Sequence, residues 1–455
     1  MFARQVQKTF RNHPPEITNL EVPAIRLAVQ RALAARARLV ETYPHWEAWR
    51  KQAKAIKSEV VTHLSDYLDQ LRRQVERWGG QVWEAPDSRT ACRLITELVG
   101  RHQVRLLVKS KSMTSEEISL NPALEAANCR VTETDLGEFI VQLAGQTPSH
   151  LTAPAMHLNR DDIADLFSTH LDLPRHNDPV VLSRQGAKFL RPRYWEAQMG
   201  ITGVNFAAAA SGHLITLENE GNLRLTATAP PVHVALMGLE KIIPTLADLE
   251  VLLRLLPVSA TGQRLTAYVN FIRGMKPQPG GRQAFYLILL DNGRRRLAAD
   301  PLYREALFCL RCGACLNVCP IFQLGGGHLY GQVYPGAIGI LLAPFLGSGV
   351  DLTDLCTQCG ACSQICPVGI PLAEQICRRR TESRLHPALK VMTRGSSSVL
   401  EHPRLYRFLT PLWRFLARLL PDGPGGRWWG ENRRLPMPAE ESFFESQFPK
   451  RRTFP

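Results

Sequence analysis

The 455-residue sequence predicts an α/β domain followed by a smaller α-helical domain organised by cysteines. Three observations carry this. Short apolar runs of strand character alternate with segments of helical period as far as about residue 295. "CLRCGACLNVCP" at 309–320 and "CTQCGACSQICP" at 356–367 then place four thiols each within eleven residues. Past residue 380 the chain turns basic. The expected divisions are a helical N-terminal region at 1–80, the α/β domain at 81–295, the helical cysteine domain at 296–380 and a basic C-terminal extension at 381–455.

Composition supports a folded chain of more than one domain. Hydrophobic residues make up 45% and charged residues 21%, ordinary globular values that argue against general disorder, and the length exceeds what one core organises. The net charge of +14 is uneven, because residues 378–455 hold sixteen Lys or Arg against seven Asp or Glu. No apolar run has membrane-spanning character, and "MFARQVQKTFRNHPPE" lacks a signal peptide's apolar centre, so a cytoplasmic protein is expected. Eleven cysteines, eight of them in two clusters, fit a reducing compartment better than a disulfide framework.

Along the chain, residues 24–80 read as helical, from "IRLAVQRALAARARLVETY" to "HLSDYLDQLRRQVERWGG", with Gly79 and Gly80 as the stop. "VRLLV" at 104–108 reads as a buried strand, and "TSEE" at 114–117 as a capping box opening a helix through about Ala127. "CRVTETDL" suggests the next strand and "NRDDIADLF" a helix. A strand-rich portion follows in "GVNFAAAA", "HLITLENEGNLRLTAT" and "VHVALMGLE", with "EGN" at 220–222 as a hairpin turn. Helix "IPTLADLEVLLRLL" and strands "TAYVNF" and "FYLILL" close the domain around a turn-rich "KPQPGGR" loop. Residues 297–308 read as a helix delivering the chain to the first cysteine motif, and "GAIGILLAPFLGSG", with Pro344 and flanking glycines, as a short buried helix in preference to a membrane span.

Each cysteine motif has the form C-x2-C-x2-C-x3-C-P. Three thiolates at this spacing let a loop wrap a 4Fe-4S cubane while turn amides donate to its sulfurs, and the small "GA" between the second and third cysteines permits close approach. Zinc also uses C-x2-C pairs, but it takes four ligands and normally splits them into two distant pairs. In two-cluster proteins the fourth cysteine of each run ligates the other cluster. That rule groups Cys309, Cys312 and Cys315 with Cys366, and Cys356, Cys359 and Cys362 with Cys319. The 36 residues between the motifs leave room for helices, which points to a helical ferredoxin-type module, and two neighbouring one-electron centres suggest a relay. Cys377 matches no motif position.

Elsewhere the signals are weaker. Lys109, Ser110, Lys111 and Ser112 lie between a strand end and a helix start, where an anion can be held, yet without the glycine pattern of a phosphate loop a solvated loop with a capped helix is an equal reading. His150 and His157 are read as packing or surface histidines, and Glu218 and Glu220 as a hairpin rim in preference to a catalytic pair. No strand-linked G-x-G-x-x-G occurs, and "GGG" at 325–327 follows a cysteine motif, so no flavin or nicotinamide site is read and catalytic residues stay unknown. In the tail, Leu405, Phe408, Leu409, Leu412, Leu416 and Leu419 share one helical face and Arg404, Arg407, Arg414 and Arg418 another, interrupted by Pro411. Such a helix can dock on its own protein, on a partner, or peripherally on the inner face of an anionic membrane. Nucleic-acid binding is not expected, since charge alone would support it.

"KSKSMTSEEISLNPALE", "ETDLGEFIVQL", "PSHLTAPAMH", "NEGN" and the two cysteine motifs together resemble the lactate utilization protein B family, iron-sulfur proteins of a bacterial lactate-oxidation system. The resemblance covers most of the chain. It implies an N-terminal domain like the sugar-isomerase and CoA-transferase α/β fold, a helical ferredoxin domain whose eight cysteines match the family's cluster positions, and two other subunits with which L-lactate is oxidised to pyruvate. The expected function is therefore an electron-transfer subunit that relays electrons through two 4Fe-4S clusters to a carrier or quinone. The competing expectation is that the α/β domain is itself an enzyme acting on an anionic carboxylate or thioester, with structural or regulatory clusters. A zinc-dependent nucleic-acid module is the third.

Overall fold

The computed structural model describes residues 17–274, 284–346 and 351–383, together with isolated positions between 395 and 409. The expected "KPQPGGR" loop and most of the amphipathic tail helix lie outside the described residues. The chain divides into one compact unit of residues 8–380 and another of residues 1–7 with 381–455. The larger unit carries both the sheet domain and the cysteine motifs.

Its centre is a six-stranded parallel sheet. In chain order the strands are β1 (Gln81–Ala85), β2 (Leu106–Lys109), β3 (Arg130–Glu133), β4 (Met199–Gly203), β7 (Val232–Gly238) and β10 (Ala284–Leu290). They lie side by side as β1-β10-β7-β4-β2-β3. All residues of β2, β7 and β10 are buried, which is why these strands read as unbroken apolar runs and not as alternating ones. A second sheet holds β5 (Phe206–Ala208), β6 (His213–Glu218), β8 (Ile242–Ile243) and β9 (Tyr268–Ile272) in the order β8-β5-β6-β9.

The helices follow local signals in most places. Asn159 opens helix Arg160–Leu171 with a capping box completed by Asp162, and Thr245 opens Leu246–Thr261 with Asp248 in the same role. Two expectations within the α/β domain are corrected. The helix of the "TSEE" region is capped by Ser112, whose side chain accepts from the amide of Ser115, and it breaks into Met113–Glu117 and Leu120–Ala126. "EGN" is not a hairpin turn, because "NLRLTAT" forms helix Asn222–Thr228. The Glu218 carboxylate accepts from the amides of Leu223 at 2.7 Å and Arg224 at 3.1 Å and so begins that helix in place of a strand.

Packing joins distant segments. One apolar core combines Ile25, Val29, Trp46 and Ala53 of the N-terminal helices, Leu252 and Leu255 of helix Leu246–Thr261, and Leu316, Ile338 and Leu341 from the cysteine region. "GAIGILL" is a fully buried helix, Gly336–Leu342, within it. The segment before the first motif is a helix at Arg294–Ala299 and a 3-10 turn at Arg304–Phe308, where a single helix over 297–308 is expected from the sequence. Among the described residues no helix is long and apolar enough to cross a membrane.

Candidate iron-sulfur site and the adjoining cleft

Both motifs fold into the same loop. Arg311 and Gln358, each just before the second cysteine, have φ of 61°, and the following Gly313 and Gly360 have φ of 77° and 78°. These left-handed turns aim amides back at sulfur. Arg311 N–H donates to Cys309 Sγ at 3.3 Å, and Gln358 N–H donates to Cys356 Sγ at 3.4 Å. Ile370 N–H reaches Cys366 Sγ at 3.4 Å, and the Tyr330 hydroxyl lies 3.4 Å from Cys319 Sγ.

A small cavity is lined by Cys309, Cys312, Cys315 and Cys366, with Leu151, Ile338, Val368 and Ile370 as its apolar walls. Three of its cysteines come from the first motif and one from the second. In the second group, Cys362 feels the charges of Cys356, Cys359 and Cys319. The surroundings differ, since Cys312, Cys315 and Cys366 are buried whereas Cys359 is exposed and Cys356 half-buried. Burial and then neighbouring cysteines push the Cys312 thiol up to about 12 and Cys362 to about 11, and Cys315 is raised in the same way. Among the described residues, no three His, Cys, Asp or Glu converge closely enough to hold a single metal ion. Sulfurs ringing a space, with amides donating to them, are the donor set a cubane cluster requires.

Segments far from the motifs hold this region. Arg36 donates to the Ile365 carbonyl at 3.1 Å and Arg50 to the Cys366 carbonyl at 2.9 Å. On the other side the loop at 147–157 grips the module: Gly327 N–H donates to Ser149 Oγ at 3.2 Å, and His328 Nε2 lies 2.7 Å from the Thr147 carbonyl. His150 is buried against Phe322, and a Cβ on Gly313 would stand 2.7 Å from its ring. Burial, and then the Lys111 charge, lower His150 to about 3, and burial, and then His328, lower His157 to about 3.

A buried ion network links the sheet domain to the first motif. Arg294 donates to Glu117 at 2.7 and 2.8 Å and to Glu240 at 2.5 Å, and Arg311 donates to Glu240 at 3.1 Å. Tyr334 OH adds a bond to Glu117 at 2.7 Å, and Lys57 donates to the Glu240 carbonyl. The nearby cations hold the Glu240 carboxyl well below the usual range in spite of its burial.

Beside this network a cleft opens at the carboxyl ends of the sheet. The strand next after β2 lies on one side of it and β4 on the other, so the chain reverses direction across the sheet here, where open α/β sheets leave a crevice. Ser110, Lys111, Ser112, Asp135 and Glu220 line it, joined by Arg311 from the cysteine loop. Lys109, grouped with these residues in the sequence, does not face it. Its ammonium is fully buried between Glu133 at 2.8 Å and Glu116 at 3.0 Å. Of the carboxylates, Glu218 is spent on capping and on Asn270, while Glu220 stands at the exposed rim. Sequence reasoning missed Arg294, Glu240, Lys241 and Arg311. Only Arg311 left a trace, as the basic residue that makes "CLRC" differ from "CTQC".

Residues 68–284 match the LUD domain and residues 305–370 the 4Fe-4S dicluster domain. The chain is 38% identical over 441 residues to lactate utilization protein B of Shouchella clausii, covering 92% of each chain. It is 38% identical over 447 residues to the Geobacillus kaustophilus protein of that name and 39% identical to that of Geobacillus thermodenitrificans, covering 93% of this chain and 94% of each relative. A solved structure of a DUF162 family protein from Deinococcus radiodurans aligns with 50% of this chain and 98% of its own at 12% identity and a TM-score of 0.27.

Proposed function

The chain belongs to the lactate utilization protein B family, with an iron-sulfur role in lactate utilization, and from that premise we propose that it is the electron-transfer subunit of a complex oxidising L-lactate to pyruvate. Two 4Fe-4S clusters form its relay. Cys309, Cys312, Cys315 and Cys366 hold one, and Cys356, Cys359, Cys362 and Cys319 the other. The observation that carries this reading is the cavity shared by three cysteines of the first motif and the fourth of the second. Each cluster supplies one-electron chemistry, so a pair can divide a two-electron donor's electrons.

The chain's own residues keep that chemistry in place. Leu151, Ile338 and Val368 exclude water from the first site, and the amides of Arg311, Gln358 and Ile370 donate to ligand sulfurs. Arg36 and Arg50 fix the carbonyls around Cys366 and bring positive charge toward a centre that is anionic when ligated by four thiolates. The exposed Cys359 edge suits the second centre to exchange electrons with another protein.

The partners are the other subunits of the lactate-oxidation complex and an electron acceptor, a carrier or quinone. The location is cytoplasmic, with peripheral contact at the inner membrane face through the basic C-terminal segment. The sheet domain is of sugar-isomerase and CoA-transferase type.

Anaerobic purification with iron and sulfide analysis and stepwise reduction followed by EPR tests the relay. About eight of each per chain and two interacting reducible centres are expected. Zinc without sulfide, or a single non-reducible cluster, would refute it.

A further inference from the structure

The cleft beside the first cysteine loop contains polar groups that the protein itself leaves unsatisfied. Ser110 Oγ and Arg311 Nη1 are buried without a hydrogen-bond partner among the described residues. The Lys241 side chain, 8% exposed, also lines the cleft, with the Glu240 carboxylate as its nearest opposite charge. Unsatisfied donors are costly inside a protein, by about 1–3 kcal/mol each and more when charged, so two of them on the wall of one cavity point to something that fills it.

Charge narrows what that is. Behind the cleft the cations Lys241, Arg294 and Arg311 face two carboxylates among the described residues, Glu117 and Glu240, while burial lowers the neighbouring Lys57 to about 7. Cys309 lies near enough to offset part of the excess, but Lys241 and Arg311 still present positive charge to the cavity. The other wall is acidic, with Asp135 and Glu220. Lys111 donates to the Leu151 carbonyl, and its burial lowers it in spite of the charges of Asp135, Glu138 and Glu220, so it adds less positive charge to the cleft than Arg311 does.

A phosphate dianion would suit the first wall and be repelled by the second. A carboxylate that also carries a hydroxyl suits both, because the hydroxyl can donate to an acidic oxygen while the carboxylate meets the cations. The cavity, about 270 Å³, accommodates such a molecule with water.

We propose that this cleft is a binding site for a small hydroxycarboxylate, with its carboxylate on Lys241 and Arg311, assisted by Ser110, and its hydroxyl toward Glu220. The bound molecule then lies against the loop between Cys309 and Cys312, since Arg311 belongs to both. Asp135 and the Leu136 amide, which donates to Glu220 at 3.2 Å, hold the acidic wall. The site concerns binding alone and stands whether or not the clusters form a relay.

The test is isothermal titration calorimetry on the anaerobically prepared full chain, using L-lactate, acetate and inorganic phosphate as probes. Saturable binding of one L-lactate per chain is expected, at least tenfold weaker in Lys241→Met with iron content unchanged. Glu220→Gln should weaken L-lactate and leave acetate, which has no hydroxyl, unaltered. That second variant decides the matter if Lys241→Met fails to fold. No saturable L-lactate binding, equal affinity in the folded Lys241→Met protein, equal loss of acetate and L-lactate in Glu220→Gln, or tighter binding of phosphate overturns the proposal. The iron, sulfide and EPR measurements judge the relay separately.

Discussion

The 4Fe-4S dicluster domain that residues 305–370 match was legible in the sequence as two cysteine runs, because their spacing is the one that lets a loop wrap a cubane, repeated. Which fourth cysteine belongs to which group is a three-dimensional question, and Cys366 supplies a sharp check. It belongs to the second motif by sequence but lines the cavity of Cys309, Cys312 and Cys315. Cys366→Ser should therefore remove or convert the same EPR signal as Cys312→Ser, and Cys319→Ser the same signal as Cys362→Ser. Each variant should retain about half of the iron. If Cys366→Ser instead matches Cys362→Ser, the crossed ligand sets are wrong. Lys109 shows the opposite limit: a lysine after a strand resembles an anion ligand, and only the fold reveals Glu116 and Glu133 on either side of it.

Among elements, the buried parallel strands and capped helices were readable because burial and capping write local patterns. Helix Asn222–Thr228 was not. "NLRLTAT" alternates like a strand, but Gly221 at φ 78° turns the chain, Glu218 caps it, and Gly200 on β4 lets the helix press close, since a Cβ there would stand 1.9 Å from the Thr226 carbonyl. The two cysteine loops permit a matched experiment on the same principle. Gly360→Ala meets nothing within 4 Å and should cost only the left-handed backbone penalty of about 1–2 kcal/mol. Gly313→Ala carries that penalty and drives a methyl into the His150 ring, which Phe322 and the amides of Thr152 and Ala153 keep from moving. It should be worse by a further ~1–3 kcal/mol, seen as a lower denaturant midpoint under anaerobic conditions. Equal midpoints would mean that His150 does not buttress the loop.

At the scale of the whole molecule, α/β order followed by a helical cysteine module could be read in advance, whereas the way the N-terminal helices and the loop at 147–157 enclose that module could not. Their residues satisfy partners three hundred positions away, or nearly two hundred, and contacts at such separation leave no period or spacing in the sequence. The His157–His328 contact spans one of these junctions, with ring centroids 4.7 Å apart, and makes it sensitive to acid. His157 is 2% exposed, with Nε2 2.7 Å from Gln146 Oε1, and burial followed by the His328 charge depresses it from 6.5 to about 3. Between those values the unfolded chain binds a proton that the folded chain refuses, so stability is fully present above about pH 6.5 and declines as pH falls toward 3. One such group imposes a slope of up to about 1.4 kcal/mol per pH unit. Unfolding midpoints measured anaerobically from pH 7.5 to 5.5 should therefore fall more steeply for the native chain than for His157→Gln, which keeps a side-chain amide for Gln146 but cannot titrate. Parallel curves would show that protonation at this junction is not what acid exploits. A shallower curve for the variant would locate the acid-labile seam where the sheet domain grips the cluster module.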